Sequence, residues 1–128
     1  MKQLILTIEV KCLESIGVKG QFTEVNMVPF TGRAYGTDFS GEVLGQGVDT
    51  QKTDLASGEC TLSARYMLEG RDSGGNSCRI FIENSLHDEE GWHPKLVTDS
   101  PLLAEWERIP LTASVEGAGE GVVVRVYR

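Results

Sequence analysis

Apolar residues recur at every second position through much of this chain, the period of a strand with one face in a core and the other in water. Leu4, Leu6, Ile8, Val10 and Cys12 alternate with Ile5, Thr7, Glu9 and Lys11. Cys60, Leu62, Ala64, Tyr66 and Leu68 alternate with Thr61, Ser63, Arg65, Met67 and Glu69. Cys78, Ile80, Ile82, Asn84 and Leu86 share a stripe against Arg79, Phe81, Glu83 and Ser85. Ile109, Leu111, Ala113 and Val115 form a fourth stripe, and Val122, Val124 and Val126 lie opposite Val123, Arg125 and Tyr127 in a fifth. Each run predicts a strand.

Turn chemistry fills the intervals. The sequences GRDSGGNS at 70–77 and EGAGEG at 116–121 separate neighbouring stripes and read as antiparallel hairpins, with DLASG at 54–58 as a third connection. Helical pattern is scarce. Its best candidate is 100–107, with Ser100 as N-cap and Pro101 at the first helical position, and Ile109-Pro110 ends it after about two turns. These elements predict one all-β domain spanning 1–128. The expected architecture is a small antiparallel β-barrel, lipocalin- or calycin-like in shape, of roughly eight strands with one short helix near 100–107. A two-sheet sandwich is the alternative. Closing the sheet removes exposed strand edges, and a barrel of about eight strands encloses either side chains alone or one small ligand.

Composition narrows the classes of partner. At 128 residues with 40% hydrophobic and 24% charged positions, the chain supports one core without metal or disulfide staples. A net charge of -7 opposes nucleic acid and anionic membrane surfaces, both of which need a basic face. The first nine residues interleave charge with a short apolar run, unlike a signal peptide, and no stretch approaches a membrane span of about 20 residues. A cytoplasmic protein is expected. Cys12, Cys60 and Cys78 form no CxxC pair, a poor framework for disulfides or zinc, and all three are expected to be buried free thiols.

The most distinctive segment runs from Phe30 to Gln51. Within it, Gly36 to Asp49 reads G-x-x-x-x-G-E-V-L-x-x-G-x-D. This block resembles the signature of the family known as "domain of unknown function 3237", and the stretches around Ala64–Leu68, Ile80–Asn84, Pro101–Trp106 and Val124–Tyr127 fit it as well. The resemblance covers nearly the whole chain, although only the first block is specific. The family often carries two adjacent glycines before the aspartate, whereas Gln46 separates Gly45 from Gly47 here. What the resemblance implies is a small β-barrel, often dimeric, with no established activity. The glycines lack the spacing of a phosphate loop and read as bends or places of close backbone approach, either for the barrel or for a ligand.

Tyr66 and Asn84 sit on otherwise apolar stripes, so both are predicted to point inward. A buried hydroxyl or amide needs a partner, either another protein group or a ligand in a pocket. Asp49 either caps the glycine turn or stands as a carboxylate at the barrel mouth, a general base or an acceptor for ligand. Arg33 and Glu83 are weaker candidates for the rim, with a surface arginine as the plainer reading of Arg33. The run His87 to His93 fits no tight metal spacing and reads as an acidic loop, with Trp92 as a lid or dimer contact. No site for metal or cofactor is expected, and with both histidines in that run and no GxSxG elbow, hydrolase chemistry has little support. Trp106 is expected to plug a barrel end or pack at an interface.

Three functions fit this pattern. The leading one is a barrel that binds a small, partly apolar ligand oriented by Tyr66, Asn84 and Asp49. The second is a cofactor-free isomerase or lyase using Asp49 or Glu83 as general acid/base. The third is a filled barrel with a structural or interaction role. A homodimer is expected because Val123 and Tyr127 face outward and want cover.

Overall fold

The computed structural model describes residues 2–86 and 91–128. Ten antiparallel strands form one sheet: β1 (Leu4–Cys12), β2 (Ile16–Lys19), β3 (Thr23–Tyr35), β4 (Phe39–Val43), β5 (Gly47–Asp54), β6 (Cys60–Asp72), β7 (Ser77–Leu86), β8 (Lys95–Thr98), β9 (Thr112–Ala118) and β10 (Gly121–Tyr127). The expected barrel is present, with ten strands rather than about eight. The additional ones are short pieces, such as β2 and β8, too brief to display a period.

Two strands of 13 residues, β3 and β6, organise the sheet. One edge of β3 holds β2 and then β1, and its other edge holds β5 and then β4. Strand β6 holds β5 and β4 on one edge and β7 on the other. Strands β4 and β5 are therefore one long course broken at 44–46. Arg33 pairs with Glu42 in β4, yet Phe30 pairs with Gly47 in β5, so the break contains two residues more than an unbroken strand requires. An odd insertion would turn every later side chain of β5 to the opposite face; an even one preserves facing. Gly45, at φ 65°, makes the break possible in a region that favours glycine.

The sheet continues from β3 through β1 and β10 to β9. It closes through Trp92, whose backbone bridges Leu86 at the end of β7 and Ala113 near the start of β9. Ala113 N–H donates to Trp92 O at 3.1 Å. The Trp92 backbone is thus a rung of the wall; residues 87–90 of its acidic run lie outside the described residues.

One half of the interior is solid. Leu6, Ile8, Phe39, Leu68, Ile80, Ile82 and Val126 are fully buried there, each contributing about 1.5–3 kcal/mol by leaving water. Leu103, Trp106 and Leu111 join the same core from the connection between β8 and β9, so Trp106 plugs the barrel as anticipated. The helix expected across 100–107 is only a 3-10 turn, Ala104–Glu107, capped by no side chain. Ser100 does not cap it. Its hydroxyl instead donates to Asp72 Oδ2 at 2.7 Å, and Asp72 Oδ1 accepts from the backbone N–H groups of Gly74 and Asn76. The Ser100 hydroxyl, foremost, holds the Asp72 carboxyl below its ordinary range. This buried acceptor ties the β6–β7 hairpin to the plug.

One other expectation changes. Cys60 is exposed and Cys12 half-buried, leaving only Cys78 as a buried thiol, because Cys60 begins β6 at the frayed edge of the hairpin. Val123 and Tyr127 are already half-buried within the chain, and the strongly exposed apolar residues are Ile16, Val18 and Phe22 around β2. Among the described residues no helix is long and apolar enough to cross a membrane.

Candidate functional site

Strand register stacks the inward residues in levels. Cys12 pairs with Phe30, Phe30 with Gly47, and Tyr66 with Ile82, forming the level above the solid core. One level further out, Val28 pairs with Asp49, Asp49 with Ala64 and Ala64 with Asn84. Beyond it, Asn26 pairs with Gln51, Gln51 with Leu62 and Leu62 with Leu86. The outer levels are not filled. They surround a cavity of about 390 Å³, within the range of small-molecule pockets of roughly 300–1,000 Å³. Val10, Val115, Val122 and Val124 supply the apolar wall opposite Asp49 and Asn84, and Trp92 completes the ring.

The floor depends on Gly47. A Cβ there would lie 2.6 Å from Phe30 Cε1 and 2.7 Å from Tyr66 Cβ, so only glycine admits both rings. Phe30 and Tyr66 then meet edge to face, with centroids 5.2 Å apart and planes at 74°. Burial pushes the Tyr66 hydroxyl well above its ordinary pKa, keeping it a neutral group that both donates and accepts.

Asp49 and Asn84 occupy one level with the small Ala64 between them, about 10 Å apart at Cα, two strand spacings. Gln51 Nε2 donates to Asp49 Oδ2 at 3.0 Å. Among the described residues, Asp49 Oδ1 and Asn84 Oδ1 are buried without a hydrogen-bond partner. Asn84 is only 3% exposed, and an unmet polar atom in such a place costs about 1–3 kcal/mol. Both lie in the cavity wall.

Tyr66, Asn84 and Asp49, proposed from sequence, therefore line one cavity. Arg33 and Glu83 do not join them. Both belong to the outward set of their strands, where Arg33 pairs with Glu9 at 3.3 Å and Glu83 with Arg65 at 2.8 Å. Exposed pairs of this kind contribute about 0–1 kcal/mol. Gln51 and Cys12 line the cavity and are absent from the sequence-derived candidates, and Trp92, read from sequence as a lid or dimer contact, lines it as well. Gln51 was within reach, since Gly47, Asp49 and Gln51 alternate like any other stripe. No cluster of His, Cys, Asp and Glu suited to a metal occurs among the described residues.

No family model matches the chain, and no curated protein matches it. Solved structures do. A protein of unknown function from Clostridium acetobutylicum superposes with a TM-score of 0.81 at 23% identity, covering 99% of this chain and 95% of that one. An enzyme from Penicillium herquei gives 0.76 at 13% identity, covering 99% and 92%. A β-barrel-like protein from Acinetobacter baumannii gives 0.71 at 17% identity, covering 99% and 95%. At such identities the likeness is one of fold. The match spans more than nine-tenths of each of these solved chains.

Proposed function

We propose that this protein binds a small, partly apolar molecule inside the barrel, with Tyr66, Asn84 and Asp49 orienting it. The observation that carries the reading is the pair of buried, unpartnered oxygens on Asp49 and Asn84 facing an unfilled cavity. A barrel serving only as scaffold gains from side chains that fill it, and buried acceptors without donors weaken it. The apolar wall supplies area for the body of a ligand, and the polar level supplies direction. Resemblance to a family of barrels without established activity agrees with this reading and adds no substrate to it.

The test is binding of 2-phenylethanol, followed by calorimetry, to the native chain and to the Tyr66→Phe/Asn84→Leu double variant. Saturable one-site binding is expected for the native chain, with a loss of at least about tenfold in the variant, the worth of one to two hydrogen bonds. Circular dichroism should be unchanged. Equal affinity in a folded variant overturns the site.

A second reading has its own support. Asp49 Oδ1 is free to take a proton from a bound molecule while Gln51 holds the other oxygen, the arrangement of a general base. One similar structure is that of an enzyme. Under this reading Asp49→Asn retains binding and loses proton exchange from bound ligand; Glu83, paired on the outer face, has no part.

A further inference from the structure

Among the described residues the cavity offers acceptors and no positively charged side chain. Asp49 is an acceptor at both carboxylate oxygens, one of them unmet, and Asn84 Oδ1 is unmet on the same level across Ala64. Asn84 Nδ2 and the Tyr66 hydroxyl can each also donate, but neither carries charge. Among the described residues no Lys, Arg or His lines the cavity. Arg65, next to Ala64 in its strand, faces outward and is paired with Glu83, as Arg33 is with Glu9. A carboxylate or phosphate placed at this level would meet Asp49 with no cation to offset the repulsion, where low polarity strengthens it. A hydroxyl or ammonium would meet acceptors already desolvated and waiting for a donor. The chain's net charge of -7 acts in the same direction on approach.

Resting on the binding-site reading above, we propose that the cavity selects molecules whose polar head donates hydrogen bonds and bears no negative charge. The class is an alcohol, phenol or protonated amine on an apolar body of about the size the cavity admits. Carboxylates and phosphates of the same shape are rejected. Asp49 is the residue that sets this choice, and Gln51 holds it in position.

Four probes sharing one body separate the terms: 2-phenylethanol, 2-phenylethylamine, ethylbenzene and phenylacetate, each titrated into the intact protein by calorimetry at neutral pH. The alcohol and the amine are expected to bind about fivefold or more tightly than ethylbenzene, the value of one net hydrogen bond. Both should exceed phenylacetate by at least tenfold. Asp49→Asn, close in shape and without charge, should bring phenylacetate to within a few-fold of the alcohol. Phenylacetate binding as tightly as the alcohol overturns the inference and leaves the binding site standing, as does a preference that survives unchanged in Asp49→Asn. Binding of none of the four overturns the binding site itself.

Discussion

Replacing Asn84 by Leu separates a side chain kept for structure from one kept for a ligand. The two side chains share one branched outline and the same number of heavy atoms, so the exchange opens no void, and the larger methyl groups border the unfilled cavity. Asn84 is 3% exposed, and its Oδ1 has no partner among the described residues. Removing an unmet buried acceptor returns its desolvation penalty, about 1–3 kcal/mol, and adds apolar burial beside Ile82 and Leu86 on the same stripe. At the lower end of that range the expected gain is about 1 kcal/mol. For a domain of this length that is a rise in melting temperature of roughly 3–5 °C. Thermal and urea unfolding of the ligand-free protein measure it, and the same variant should bind 2-phenylethanol more weakly. A gain in stability joined to a loss of binding is the signature of a functional polar group. A loss of about 1 kcal/mol or more would refute the reasoning, since it would mean that Asn84 is hydrogen-bonded in the folded chain.

Three further outcomes follow from other parts of the barrel. Gly47→Ala drives a methyl group into Phe30 and Tyr66 and should cost about 1–3 kcal/mol in urea unfolding while disturbing the cavity floor. Ser100→Ala removes the hydroxyl that lowers the Asp72 carboxyl, so the variant should melt lower at neutral pH. A depressed folded-state pKa stabilises above the unfolded value of about 4 and ceases to do so as pH falls through the folded value, so the difference between the two proteins should shrink in acid. Tyr66 shows the opposite sign: its raised folded-state pKa keeps full stability below about 10 and loses it as pH climbs further, a loss that Tyr66→Phe should lessen in alkaline unfolding curves.

The barrel was legible because half-buried strands write their facing into the sequence at a period of two. That rhythm placed Tyr66 and Asn84 inside before any coordinates, through their apolar neighbours Leu62, Ala64, Leu68, Ile80 and Ile82. The same rhythm argued against Glu83, one residue from Asn84 and therefore on the other face; a rim position for it and for Arg33 ignored the alternation. Asp49 was harder to place, because the insertion at 44–46 interrupts the course of its strand, and its inward facing depends on that insertion being even. Ser100 looked like a helix cap because a cap and a buried donor use the same hydroxyl, and only the distant Asp72 decides between them. The closing role of Trp92 joins residues from β7 and β9, far apart in the chain, and no local pattern records such a contact.

Perturbation of backbone amide resonances by 2-phenylethanol in the intact, isotope-labelled protein tests the inner polar level most directly. Shifts should concentrate at Val28, Asp49, Ala64 and Asn84, with the floor residues Phe30 and Tyr66 following, and should saturate together with one affinity. Shifts confined to the outer residues of the same strands, such as Val48, Thr50, Ser63 and Arg65, would place the molecule outside the barrel and contradict the account.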